Sequence, residues 1–255
     1  MRGNVPQKIQ ILKFVGEQGI VSVGDISRHL FRSDKFRIVR STLYDLGVAH
    51  IRYRNVYGGL WYIDNPKLFE LLGTYYPKLP AFEVTPIYDH YILHYLELNR
   101  IRSVFEHSRQ IIIDEWWSEH YMRALPPALR VKVSNPKIPD AVFWRKKPDG
   151  TRQQFFLEYE RSLKNKERYE EIFSIYARHP DIQNNNVIYL CDTPDIREEL
   201  LAIEQRMART GKFDKAGLCF QFFTLENFYE NYENEQSKKE IINEDNHAMV
   251  QNAGV

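Results

Sequence analysis

Apolar positions recur at helical spacing from the start of the chain. Ile9, Leu12 and Val15, with Ile11 alongside, predict a first helix from Gln7 to Glu17, which Gly19 ends. A short second helix is expected from Asp25 to Phe31. Ser33 can cap a third, in which Phe36, Val39, Leu43 and Leu46 form one stripe before Gly47 stops it. Two strand-like runs follow, Val48 to Tyr53 and Leu60 to Ile63, joined by the turn-rich loop Arg54 to Gly59. The order is helix, helix, helix, wing. Pro66 to Tyr76 adds an amphipathic helix, and Pro77, Pro80 and Pro86 mark a linker.

Beyond residue 87, helical and extended patterns alternate. A helix is expected from Ile87 to Phe105, then strand-like runs at Gln110 to Asp114, Leu129 to Val133, Asp140 to Trp144 and Gln153 to Glu160. A basic helix from Lys164 to Arg178 precedes a strand at Asn186 to Leu190, a helix from Pro194 to Arg209 and a strand at Gly217 to Phe223. Strands flanked by helices predict an α/β fold with a mixed central sheet. The expected organisation is a winged-helix module at 1–76, a linker at 77–86, an α/β domain at 87–230 and a tail at 231–255. The tail is rich in Asn, Glu and Lys, has few apolar anchors and is expected to be disordered.

Composition adds to this picture. With 255 residues and 43% hydrophobic content the chain can bury one or two cores. No apolar run reaches the roughly 18–20 residues that cross a bilayer. Met1 to Pro6 carries no apolar secretory core, so a cytoplasmic protein without membrane insertion is expected. Cys191 and Cys219 each lie in an apolar run and are expected as buried thiols. The net charge of +1 hides an uneven distribution, because residues 1–65 hold ten Lys and Arg against five Asp and Glu. The third helix would present Lys35, Arg37, Arg40, Ser41 and Tyr44, and the wing Arg52 and Arg54, as a surface for double-stranded DNA. Modules of this kind also serve dimerisation or protein docking; charge, helix face and wing together favour DNA. Gly58-Gly59 is not followed by Gly-Lys-Ser/Thr, so no nucleotide cofactor is expected.

Candidate chemistry lies in two segments, Ile138-Pro139-Asp140-Ala141-Val142-Phe143 and Gln154-Phe155-Phe156-Leu157-Glu158-Tyr159-Glu160-Arg161-Ser162. Side chains alternate along a strand, so Glu158 and Glu160 share one face. With Asp140 beside them, three carboxylates converge, which is costly unless a cation or proton neutralises them. Magnesium or manganese suits such oxygen ligands. The alternative is a set of strand-end acids that are solvated or paired with nearby Lys and Arg. Trp116-Trp117 is read as core in preference to a base-stacking platform. His90 and His94 share a helix face without a third histidine at ligand spacing.

The sequence resembles the replication-relaxation family, whose plasmid members include MobC-type mobilisation relaxases. The residues that carry the likeness are Pro139 to Phe143, Phe155 to Ser162, the downstream Lys164, Lys166, Tyr169 and Tyr176, and the upstream Trp117-Ser118-Glu119. The winged-helix start stands in the same order, so the likeness spans the chain except its tail. It implies a restriction-endonuclease-like PD-(D/E)xK domain with Asp140, Glu158 and Glu160 as metal-binding acids. The last position of that pattern is usually lysine, and here it is Glu160. Either Lys164 or Lys166 returns the lysine, or Glu160 is itself a ligand. A further carboxylate is expected from Glu106, Glu115 or Glu119, with Glu119 favoured. The implied activity is metal-dependent nicking of DNA at a plasmid origin of transfer, with an accessory or coupling protein as a plausible partner. Tyr169 or Tyr176 as a nucleophile stays open. The alternative is a non-catalytic winged-helix regulator of replication or transcription with a degenerate nuclease-like domain.

Overall fold

The computed structural model describes residues 6–31, 39, 41, 51–54, 60–63, 72–80, 89–108, 113–127, 137–147, 149–178, 186–211 and 220–231, except the side chains of 51–54, 60–63 and 89–90. Lys35, Arg37, Arg40, Tyr44, Cys219, the strand expected at Leu129 to Val133 and the tail beyond 231 lie outside these residues.

The first helix, α1 (Gln7–Gln18), buries Ile9, Ile11, Leu12, Phe14 and Val15. Gly19 ends it at φ +77°, where its N–H still donates to the Val15 carbonyl at 2.9 Å. A side chain at Gly19 would meet the His120 ring at 3.1 Å, so glycine serves both the turn and the close approach. Ile20–Ser22 then forms β1, too short to read from periodicity. Helix α2 (Val23–Ile26) starts two residues before its expected Asp25. The cause is a capping box, in which the Ser22 hydroxyl accepts from the Asp25 N–H and the Asp25 carboxylate from the Ser22 N–H. The rest of the expected second helix is a π-helical turn, Ser27–Phe31. Strands β2 (Ile51–Arg54) and β3 (Leu60–Ile63) pair antiparallel, and β1 joins the far side of β3 to give the order β1-β3-β2.

The larger body is a five-stranded mixed sheet, β4 (Ile113–Ser118), β5 (Ala141–Lys146), β6 (Arg152–Glu160), β7 (Val187–Cys191) and β8 (Phe220–Thr224), in sequence order. Strands β4, β5 and β6 run antiparallel, and β6, β7 and β8 run parallel. One face packs on α5 (Lys166–Arg178) and α6 (Pro194–Arg209) through Val142, Phe156, Val187, Tyr189 and Cys191. The other packs on α3 (Asp89–His107) through Phe143, Phe155, Leu157, Tyr159 and Leu190. Between β4 and β5, α4 (Glu119–Ala124) is capped by the Ser118 hydroxyl, which accepts from the Tyr121 N–H. The overall class is therefore α/β with a mixed central sheet. No helix among the described residues is long and apolar enough to cross a membrane.

The strand expected at Gln110 to Asp114 overlaps β4 at Ile113 and Asp114, with residues 110–112 outside the described residues, and β4 runs on through both tryptophans. Alternation sends Trp116 to the α3 face, stacked on Phe143, and Trp117 to the opposite face against Trp144. Trp116 is core, as expected. The amino-terminal elements are tied to this body by polar contacts. The Asn99 amide donates to the Ile20 carbonyl at 2.8 Å, and the Ser118 hydroxyl donates to the Glu17 carbonyl.

Candidate active site

The carboxyl ends of β4, β6, β7 and β8 and the amino end of β5 meet at one edge of the large sheet, where open α/β sheets bind ligands. The β5/β6 ladder ends at Ala141↔Leu157. Continued by one rung, the register sets Asp140 opposite Glu158. The Asp140 carboxylate takes up the ladder by accepting the Tyr159 N–H at 2.7 Å, and its own carbonyl accepts the Glu119 N–H at 2.8 Å. Backbone on both sides thus fixes this acid. Glu158 and Glu160 point to the α5 face, as alternation predicts, and are 6% and 7% exposed. They sit at the floor of a cleft of about 890 Å³, lined also by Tyr91, His94, Glu119, Lys137, Arg161 and Arg168.

Each acid carries its own cation. His94, from α3, lies 3.3 Å from Asp140 through Nε2 and stacks on Tyr159 with ring centroids 5.3 Å apart. Lys137 donates to Glu158 Oε1, the oxygen that also accepts the Tyr176 hydroxyl. Lys164 donates to Glu160 at 2.6 Å. Burial works to raise the Asp140 carboxyl, but His94, Lys137 and the Tyr159 N–H outweigh it and hold the group below the usual carboxylate range. Burial likewise works to lower His94, and the Asp140 charge reverses it. Glu158 differs. Burial pushes it up to about 7, Asp140 adds to the rise, and Lys137 and Tyr176 oppose it without prevailing.

The donor set suits a hard divalent cation, being oxygen-only, buried and dependent on positive charge. Magnesium commonly uses one or two carboxylates and completes its shell with water and phosphate. Asp140 and Glu158 fit that demand, with Glu160 two residues further along the same face. Among the described residues, no group of three or more His, Cys, Asp and Glu side chains is arranged to hold a metal ion.

The remaining sequence candidates divide clearly. Lys164 joins the cluster, whereas Lys166 turns outward to Glu170 at 3.8 Å. The helix expected from Lys164 starts only at Lys166, which frees Lys164 to fold back on Glu160. Glu119 lines the cleft and pairs with Arg123. Glu106 lies at the amino-terminal junction with His29 and Arg102, and Glu115 pairs with Arg152 on the outer strand. Tyr169 and Tyr176 are buried between the sheet and α5, and burial holds both phenols above their usual range. Ser41 is exposed; the Arg52 and Arg54 side chains lie outside the described residues.

Two members of the cluster escaped the sequence reading. Lys137 lies in a proline-flanked segment without periodicity, three residues before Asp140, where only proximity in sequence could have suggested it. His94 has no third histidine at metal-ligand spacing, and its role here is to face a carboxylate. Cys191 is buried, and burial pushes its thiol up to about 12, consistent with packing. A scan of family models matches none to this chain, and neither curated proteins nor solved structures give a significant match.

Proposed function

We propose that the protein is a DNA-binding, metal-dependent endonuclease that nicks one strand at a plasmid origin of transfer, as the resemblance to mobilisation relaxases implies. The observation that carries this reading is the facing pair Asp140 and Glu158 one rung beyond the β5/β6 ladder, Glu158 buried and Asp140 partly so, beneath an open cleft and met by Lys137. The amino-terminal elements support the recruiting role. Helices α1 and α2 with the β1-β3-β2 sheet suit a winged helix, and the basic excess of residues 1–65 suits a phosphate backbone.

Asp140 and Glu158 would hold the ion, with Glu160 beside them. When bound, magnesium or manganese polarises the phosphodiester and offsets charge on the departing oxygen. The chain's own residues do the rest. Backbone bonds from Tyr159 and Glu119 keep Asp140 in one orientation. Lys137 and Lys164 supply positive charge where phosphate oxygens would lie, and Arg161 and Arg168 line the cleft outside them. The lysine that the PD-(D/E)xK pattern expects after the second acid is then Lys137, arriving from upstream.

The test is nicking of supercoiled plasmid carrying its cognate transfer origin, with and without magnesium or manganese. Wild type should give open-circular product only with metal. Glu158→Gln and Asp140→Asn should each lower the rate roughly 10²–10³-fold, the scale for losing one group that acts in the transition state, with DNA affinity retained. The private cation on each acid favours a second reading, a non-catalytic regulator of replication or transcription whose acids are structural. Metal-independent absence of product, with DNA binding intact, would select it.

A further inference from the structure

This inference rests on the metal-dependent reading above and concerns how that site is regulated. Three acids are met by cations from three parts of the chain, and at Glu158 the cation shares one carboxylate oxygen with a second donor. Lys137 and the Tyr176 hydroxyl both occupy Glu158 Oε1. Lys137 also approaches the Tyr176 ring, with Nζ 5.6 Å from its centroid. Both residues line the cleft, and the lysine side chain is 19% exposed against 8% for Glu158, so the lysine is the more accessible member of the pair. A flexible four-carbon stem lets such an ammonium move by several ångströms at little cost.

We propose that Lys137 is the resident counter-ion of Glu158 and excludes a divalent ion from it, so that metal binds tightly only when a DNA phosphate draws the lysine away. The ammonium and a divalent ion on one buried carboxylate would repel each other strongly in a medium of low dielectric constant. Without the ammonium, Glu158 needs another positive charge. A phosphate in the cleft resolves both demands, since it accepts the displaced lysine and completes the ion's coordination shell. Metal and DNA therefore assist each other, and by linkage the gain is the same whichever binds first. The cleft is self-neutralised at rest and becomes competent on its substrate.

Manganese binding to the full-length protein, read from the free-ion electron paramagnetic resonance signal, tests this without any turnover. Titrations are run well above pH 7, so that Glu158 is ionised, with and without a phosphorothioate duplex that resists cleavage. Wild type should bind manganese about tenfold more tightly with the duplex, within the usual range of coupling between sites. Lys137→Met should bind it about tenfold more tightly than wild type without DNA and gain little more from DNA. Lys137→Arg should behave as wild type. Lys137→Gln, which keeps a donor to Glu158 but no charge, should follow Lys137→Met and serves if the methionine variant does not fold. Equal or weaker manganese binding in both uncharged variants, with circular dichroism unchanged, overturns the proposal and leaves the nuclease reading standing. No manganese bound in any sample, DNA present or absent, overturns both.

Discussion

Two glutamates with cationic neighbours, Glu158 buried and Glu106 partly so, are shifted in opposite directions. Glu106, where α3 meets the amino-terminal elements, pairs with Arg102 at 2.8 Å and with His29. Burial works to raise it, but Arg102 and His29 prevail and bring it down to about 2. Arg102 is itself held between aromatic rings, 5.3 Å from Phe14 and 5.9 Å from Trp116. Glu158 has a lysine and a tyrosine on one oxygen, yet is pushed up to about 7. The difference lies in the company. Glu106 is one acid between Arg102 and His29, whereas Glu158 shares its end of the sheet with Asp140, whose charge adds to the rise. At the junction the Arg102 guanidinium outweighs burial; at Glu158 the Lys137 ammonium does not, because burial and a second carboxylate act together. Perturbation of that second kind is the one associated with chemistry.

The comparison can be broken most severely at the junction. Arg102→Ala removes the buried member of the pair, leaves the partly buried Glu106 without its main partner and should cost about 3–5 kcal/mol of stability in chemical denaturation. Arg102→Met, which keeps the packing between Phe14 and Trp116, should cost less than alanine. A next-largest effect is expected from pH. Glu158 is raised from 4.5 in the unfolded chain to about 7 in the fold, so the folded state keeps its proton where the unfolded chain has lost it. Stability should therefore fall as pH rises between those values, by on the order of 3 kcal/mol, and level off above. Denaturation curves of Glu158→Gln should lack that slope; an identical slope in wild type and variant would place the titration elsewhere. The smallest effect belongs to Lys166, whose exposed contact with Glu170 should be worth under about 0.5 kcal/mol on substitution by alanine.

What could be read from the sequence follows the reach of each physical signal. Period-two alternation put Glu158 and Glu160 on one face because it is a local property of an extended chain, and the α6 boundaries matched because Thr193, Pro194 and the apolar stripe are local too. The edge strand β1 offers no period in its three residues, and the end of β4 is hidden because its adjacent tryptophans face opposite sides of the sheet. The partners of the acids are long-range facts. His94 meets Asp140 from 46 residues upstream, and Lys137 meets Glu158 across 21. No spacing rule links them, because the sheet and α3 bring them together only in the fold.

The Asp140 carboxylate, as the closing rung of β5 on β6, has a consequence for the life of the chain before it is finished. Slipping β6 by one residue would turn Glu158 and Glu160 to the α3 face and offer Asp140 a different N–H. A nascent or misregistered molecule then has no acid pair at all. On the endonuclease reading proposed above, cutting would wait on correct assembly of the sheet.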